Sequence, residues 1–247
     1  MSAPIHQLVL PLARRARSLA WPRFANNYRK NPASSSRLAL KVLGIADPSY
    51  RPAFAALANA VEKTCHLGGH MIECGVFRGG TLLGIAHRLA CRGIRDVTVI
   101  GCDSFEGFPS PGEEDQLEDG SFHERALQGV FSDTDYDGLR SRIAALGYGG
   151  QIELLKGFFE DTLSQLSEVR FSLVHLDCDL YQSYLTCLEF LYPRLLKGGY
   201  MVFDEYDTSA PVYPGARKAI DQFLADKPEK LQRFGEGEYE RWYLVKQ

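Results

Sequence analysis

The stretch from Phe171 to Tyr206 sets the terms for the rest of the chain. It reads FSLVHLDCDLYQSY, then a helix-like segment, then LLKGGYMVFDEY. Val174-His175-Leu176 is an apolar-leaning run that ends in Asp177 and Asp179, and Tyr200-Met201-Val202-Phe203 is a second, ending in Asp204 and Glu205. Between them LTCLEFLYPRLL carries apolar residues at helical spacing and closes on Lys197-Gly198-Gly199, a basic last turn followed by a glycine stop. Strand, helix, strand with a crossover of that length means parallel neighbours. Both strands then deliver carboxylates to one carboxyl-end edge, where open α/β sheets bind their ligands. Four acids converging on one edge repel each other, so the pattern calls for a compensating charge, and a divalent cation is the natural one.

The flanking sequence repeats this unit. Residues 53–65 suit a helix, with Gly68-Gly69 as its stop. His70 to Gly75 reads as a first strand, Val76-Phe77-Arg78-Gly79-Gly80-Thr81 as a glycine-rich turn, and LLGIAHRLACRG as the helix behind it. Asp96 to Asp103 reads as a second strand, 108–122 as a polar loop able to cover a site, Asp135 to Leu146 as a helix, Ile152 to Leu155 as a third strand and Glu160 to Leu166 as a helix. Pro214 to Ala225 suits a helix with Pro near its start, and Leu231–Phe234 and Tyr239–Val245 flank Gly235-Glu236-Gly237, which is hairpin chemistry. The result is five β-α units and a closing antiparallel hairpin. A length of 247 residues suits one such α/β domain with a small appendage: 56–247 as the domain, and 1–55 as a helical arm or lid, with a flexible tail as the alternative.

A net charge of −3 gives no electrostatic footprint for nucleic acid. No apolar run approaches the length needed to span a bilayer. At the N-terminus three arginines, Arg14, Arg15 and Arg17, follow the short apolar run, whereas in a secretory signal the charge comes first; an amphipathic helix with a solvated basic face is the simpler reading. Six cysteines stand without a C-x-x-C pair, and Cys74, Cys102 and Cys178 fall at strand ends. They read as free, mostly buried thiols of a reducing, cytoplasmic compartment rather than as a zinc site.

Glu73 to Thr81 gives E-x-G-x-x-x-G-G-T. Glycines after a first strand let a ligand approach the backbone, and the helix start behind them offers N–H donors. The spacing is neither that of a dinucleotide fingerprint nor that of a P-loop. It fits an adenosyl cofactor without phosphates, and a plain tight turn is the alternative. Asp103 ends the second strand, where an acid can accept both ribose hydroxyls. Ser104 and Phe105 follow and can border the adenine; Phe158 or Phe159 with Asp161 can close its other side, or serve as a core ring and a helix cap. Asp179 shares a face with Asp177 if the strand continues that far; otherwise it caps the helix at Tyr181, the preferred reading. His175 reads as a packed strand residue rather than a base, and His123 is a weaker base candidate. Trp21, Trp242, Tyr206 and Tyr213 belong to the core or to an acceptor pocket.

Taken in order, ECGVFRGGT, CDSFEGFP, GFFEDTL, HLDCDLYQSY, LYPRLLKGGY, FDEY and PGARKAIDQF resemble the macrocin O-methyltransferase family, over about residues 68–225. The resemblance implies a Rossmann-like class I methyltransferase fold, a seven-stranded, mostly parallel sheet in the order 3-2-1-4-5-7-6. It implies S-adenosylmethionine held by Glu73, Gly75, Val76, Phe77, Arg78, Gly79, Thr81 and Asp103. It further implies Mg²⁺ held by Asp177, Asp204 and Glu205, and Asp177 placed to take the proton of an acceptor hydroxyl on a sugar or glycosylated natural product. The family's antibiotic enzymes carry Asp-Asp where this chain has Asp204-Glu205; the longer Glu arm shifts the ion or works through a water. The chemistry asks for the same groups independently: an aliphatic hydroxyl needs its pKa lowered and a carboxylate to accept the proton. Two rivals are weighed. A nicotinamide oxidoreductase is disfavoured by the glycine spacing and by the lack of a Tyr-x-x-x-Lys pair; a cofactor-binding protein without turnover would show no metal-dependent methylation. A homo-oligomer assembled through the N-terminal arm completes the expectations.

Overall fold

The two acid-tipped runs become neighbouring parallel strands. The computed structural model describes residues 25–47, 53–206, 212–234 and 241–247. Its strands are β1 His70–Cys74, β2 Val99–Asp103, β3 Ile152–Lys156, β4 Phe171–Leu176, β5 Leu195–Phe203, β6 Gln232–Phe234 and β7 Arg241–Val245. They form one sheet in the order β3-β2-β1-β4-β5-β7-β6, as the family resemblance implies. β1 to β5 pair in parallel, and β7 runs antiparallel to both β5 and β6. Every residue of β4 is buried, as a central parallel strand covered on both faces requires. Burial of side chains such as Phe171, Leu173 and Val174 stabilises the sheet by roughly 1.5–3 kcal/mol each.

Helices cover both faces. Ala53–Thr64, Gly80–Cys91 and Tyr136–Ala145 share one apolar cluster, and Tyr28, Leu40, Leu43, Ile45 and Ala46 belong to it too. Tyr181–Leu191 and Pro214–Leu224 share the other. The described part of the N-terminal arm is therefore packed against the sheet's own helices. The Ala46 N–H donates to the Gly80 carbonyl at 2.8 Å, tying the arm to the start of the helix behind the glycine-rich turn. Tyr28 anchors it further, with its hydroxyl 2.8 Å from His87 Nδ1 and against the Tyr148 hydroxyl.

Three boundaries differ from the sequence reading. The helix before β5 ends at Leu191 and passes through the 3-10 turn Tyr192–Arg194, where Pro193 removes an N–H; Lys197-Gly198-Gly199, read as the helix stop, belongs to β5. There β5 slips against β4, pairing Phe171 with Leu195 but Leu173 with Tyr200, and Gly198 takes φ 79° to absorb the extra residues. β2 begins at Val99 rather than Asp96, since the Thr98 N–H turns to His70 Nδ1 at 3.2 Å. Glu160–Leu166 is a short helix, Phe159–Thr162, followed by a 3-10 turn. Arg14, Arg15, Arg17, Trp21 and the Gly235–Gly237 turn lie outside the described residues. All six cysteines are free thiols. Among the described residues no helix is long and apolar enough to cross a membrane.

Candidate active site at the carboxyl edge of the sheet

The strand order reverses direction between β1 and β4, and open α/β sheets bind ligands at such a switch point. β1 ends at Cys74, and the chain turns through Gly75 (φ 92°) and Phe77 (φ 49°) to Gly79, the N-cap of the helix Gly80–Cys91. Gly75 has no alternative, because a Cβ there would lie 1.7 Å from the Asp177 carbonyl oxygen. The glycine-rich turn and the acid at the end of β4 are thus pressed together.

Asp103 holds the turn in place. Its Oδ2 accepts from the Val76 N–H at 2.7 Å and the Phe77 N–H at 2.8 Å, and its Oδ1 accepts from the Phe105 N–H at 2.7 Å. A carboxylate offers about four acceptor sites, so one direction on Oδ1 is left for a ligand hydroxyl. The sequence reading gave both oxygens to a ribose. The structure spends most of them on two turns whose left-handed Phe77 and Phe105 (φ 54°) need a tether. Each such residue costs about 1–2 kcal/mol.

Gly75, Phe77, Asp103, Ser104, Phe159 and Asp177 line one cleft of about 850 Å³, counting the part open to solvent. Clefts for small molecules run from roughly 300 to 1,000 Å³. A second space of about 430 Å³ shares Asp177 with the first and adds Thr81, His175, Asp204 and Arg241. Other residues expected at the cofactor, Glu73, Val76, Arg78 and Asp161, line neither space. Glu73 is fully buried beneath the turn, its Oε1 3.0 Å from His175 Nδ1 and its Oε2 without a hydrogen-bond partner. Val76 turns its side chain into the core. Arg78 lies over the Phe77 ring at 4.8 Å and pairs with Asp133. Asp161 is exposed and Glu160 lines the cleft in its place. His123 lines neither space and accepts from the Arg125 N–H at 3.1 Å.

The acids divide into two sets. Oxygens of Asp177, Asp179 and Glu205 all lie within 4.8 Å of one another. Burial and the neighbouring Asp204 charge push Asp177 up to about 7, against the pull of His175. Burial and the negative charges around them likewise push Asp179 and Glu205 well up. Tyr184 donates a hydrogen bond to Glu205, which supplies no charge. Asp204 behaves in the opposite way. Arg241 Nε sits 2.6 Å from its Oδ1 and His175 Nε2 3.9 Å away. Burial works against the charged form, but the His175 and Arg241 contacts outweigh it and hold Asp204 below the usual range. Burial also opposes the charged His175, yet Asp204 and Glu73 push it up to about 10. Arg241, Asp204, His175 and Glu73 therefore form an alternating row of charges across the sheet.

Asp179 is not the helix cap that the sequence reading preferred. It sits at φ 63° with its side chain in the acid cluster, and the Tyr181 N–H is taken by Asp115 Oδ1 at 2.8 Å. Asp115 comes from the loop 66 positions upstream, so nothing local announces it. Arg241, Phe108 and Phe131 were likewise missed; a strand arginine and loop phenylalanines carry no spacing signal. Of the aromatics left open, Trp242 and Tyr206 pack together at 5.1 Å, whereas Tyr213 stands edge to face with Phe108 at 6.2 Å.

The sequence model of the macrocin O-methyltransferase (TylF) family matches residues 11–232. Demethyldecarbamoylnovobiocin O-methyltransferase of Streptomyces niveus is 30% identical over 157 residues, 64% of this chain and 58% of that protein. The chain thus spans little more than half the length of this relative. Mycinamicin III 3''-O-methyltransferase of Micromonospora griseorubida is 29% identical over 188 residues, 72% of each chain. The crystal structure of CalS11, a calicheamicin methyltransferase, superposes with a TM-score of 0.69 at 21% identity, covering 92% of this chain and 91% of that one. At that identity the likeness is one of fold.

Proposed function

The chain belongs to the macrocin O-methyltransferase family, and from that premise we propose that it transfers the methyl group of S-adenosylmethionine to a hydroxyl of a sugar or glycosylated natural product. The observation that carries the reading is the contact of Gly75 with Asp177: a turn suited to the donor and a carboxylate suited to the proton share one cleft. Relatives named for demethyldecarbamoylnovobiocin and mycinamicin III support a natural-product acceptor.

In this reading Gly75, Phe77, Gly79 and Thr81 receive the methionine end of the donor. Asp103 and Ser104 meet the ribose, and Phe159 borders the adenine. Glu73, Val76, Arg78 and Asp161 shape the surrounding walls. Asp177 accepts the acceptor's hydroxyl proton, a task its upward-shifted pKa of about 7 suits. The sulfonium methyl is reactive already, so the protein's remaining work is to hold hydroxyl and methyl in line.

The donor set of Asp177, Asp179 and Glu205 fits a hard cation: all oxygen and close together, with the buried His175 near Asp177 alone. Mg²⁺ held there would lower the pKa of the acceptor hydroxyl. Asp204, expected from the resemblance as a ligand, is engaged by Arg241, and Asp179 takes its place in the set. Residues 1–55 act as an arm on the 56–247 domain, a role that the bond from Ala46 to Gly80 supports for its described part, and as the contact in a homo-oligomer. Six free thiols support a cytoplasmic setting.

The test is methyl transfer from labelled S-adenosylmethionine with Mg²⁺ and with EDTA, together with titration of S-adenosylmethionine and NADH. Donor binding and EDTA-sensitive transfer are expected. Donor binding without any transfer marks a protein that has lost turnover, and preferential NADH binding marks an oxidoreductase.

A further inference from the structure

The three acids that face one another differ in reach. Glu205 has one methylene more than Asp177 and Asp179, so its carboxyl group has one more torsion to lose before it can hold a ligand. It also lies just past the end of β5, outside the ladder that fixes the strand. Its anchor comes from the helix Tyr181–Leu191. Tyr184 is fully buried, and its hydroxyl reaches Glu205 Oε2 and, at 2.9 Å, the Leu176 carbonyl oxygen. A phenol has one proton to give. The Leu176 carbonyl already accepts from the Asp204 N–H at 2.9 Å, so it does not depend on that proton. A bond to a carboxylate is also the stronger of the two. The hydroxyl is therefore committed to Glu205. Its own place is fixed by a ring packed in the core with Leu176 and Phe203.

Holding one oxygen limits what the pair can do. A carboxylate grips a cation with both oxygens only when it is free to turn both towards it. With Oε2 held by Tyr184, Glu205 has Oε1 alone to offer beside the oxygens of Asp177 and Asp179. Mg²⁺ is small and demands near-octahedral geometry from single oxygens. Ca²⁺ is larger, takes more oxygens and accepts carboxylates that chelate with both. A pinned Glu205 suits the first ion better than the second.

We propose that Tyr184 is a positioning residue: it fixes Glu205 as a one-oxygen ligand and so biases the acid cluster towards Mg²⁺ and away from Ca²⁺. The proposal rests on the cation reading above. It adds to that reading a residue that acts through Glu205 and does not itself meet the ion.

Full-length protein is titrated calorimetrically with MgCl₂ and, separately, with CaCl₂. Tyr184→Phe keeps the ring and removes only the hydroxyl. It should weaken Mg²⁺ binding ~10-fold and Ca²⁺ binding by less than about 3-fold, so that the preference moves towards Ca²⁺. A merely structural role would weaken both ions alike. Glu205→Asp is the second variant, and it withdraws the carboxyl group from Tyr184. It should move the preference in the same direction, and it carries the test should Tyr184→Phe not fold. Within the Glu205→Asp chain, adding Tyr184→Phe should change neither affinity by more than about 2-fold, since the pair is already parted. The proposal is overturned if Tyr184→Phe leaves Mg²⁺ binding unchanged or weakens both ions equally, if Glu205→Asp keeps the parent's preference, or if Tyr184→Phe has its full effect in the Glu205→Asp chain. A parent protein that binds neither ion would instead sink the cation reading, and this inference with it.

Discussion

Asp177 and Asp204 follow paired residues, Leu176 of β4 and Phe203 of β5, yet their surroundings are opposite. Asp204 has Arg241 at 2.6 Å and His175 beyond, and its carboxyl is held below the usual range. Asp177 faces Asp179 and Glu205, and its carboxyl is pushed up to about 7. Like charges a few ångströms apart in a poorly solvated cleft do not all ionise without a cation. His175 pulls on both acids, but Asp204 alone has Arg241 as well, and the crowding of Asp177 with Asp179 and Glu205 is left to a ligand to relieve. Position at the strand end does not by itself make a carboxylate a ligand.

The harshest way to break this contrast is Asp177→Asn. If Asp177 is the proton acceptor, turnover falls on the order of 10³-fold, read by transfer of labelled methyl, while donor affinity stays within a few-fold. The same change should raise the thermal midpoint of EDTA-treated protein at pH 8. The sign follows from linkage: the folded-state pKa of about 7 lies above the ordinary carboxylate value, so the parent loses stability as pH climbs from about 4 through 7, and asparagine removes that slope. Equal midpoints for parent and variant at pH 8 would mean that the cluster is not electrostatically stressed.

Next in size is Arg241→Met, which strips the counter-charge from Asp204. Stripping a mostly buried carboxylate of its nearer partner, with only His175 at 3.9 Å left, should cost up to about 3 kcal/mol in a denaturant melt, and Asp204→Asn in the same chain should recover most of it. A similar loss in the single and double variants would mean that Arg241 contributes through packing alone. Glu229 offers a third acid, one that is fully satisfied: Tyr192 donates to it, as do Lys246 Nζ at 3.1 Å and the Gln247 N–H at 3.2 Å. Against the cost of burial these contacts pull it down to about 2. Its contribution is present above the unfolded carboxylate pKa and is lost as pH falls from about 5 through 2, roughly 3 kcal/mol in all. Glu229→Gln should flatten that part of the stability profile.

The contrast between the two sets of acids also separates what the sequence discloses from what it conceals. Apolar runs located all five parallel strands, although the glycines read as a stop before β5 lie inside it; a strand buried on both faces, as β4 is, has to read as such a run. The acids at the tips of β4 and β5 were legible for the same reason: they end such runs. Which acid is neutralised was not legible. Arg241 reaches Asp204 from β7, 37 positions away, through an antiparallel pairing that fixes Trp242 opposite Phe203. Asp103 illustrates a subtler limit. Its place at the strand end was read correctly, but its three backbone hydrogen bonds depend on the left-handed turns at Phe77 and Phe105. Phenylalanine at such positions runs against local preference, so no propensity argument reaches it.

Asp179 and Asp115 give the finest version of the test. A local reading assigns the cap of the helix Tyr181–Leu191 to Asp179, the nearer acid, whereas the fold assigns it to Asp115 from a distant loop. The two assignments predict opposite stability effects. Asp115 accepts from the N–H groups of both Tyr181 and Gly112, at 2.8 and 2.9 Å, so Asp115→Ala should destabilise the metal-free protein by about 1–2 kcal/mol. Asp179 holds no helix N–H and faces like charges, so Asp179→Ala should leave the metal-free protein as stable as the parent or more so. The order should invert when Mg²⁺ is added: the rise in midpoint that the cation gives the parent should survive in Asp115→Ala and shrink in Asp179→Ala. If instead Asp179→Ala is the costlier change in EDTA, the nearer acid is the cap after all. The cation set would then lose one of its three oxygen donors, and the division between neutralised and open acids would have to be redrawn around Asp177 and Glu205 alone.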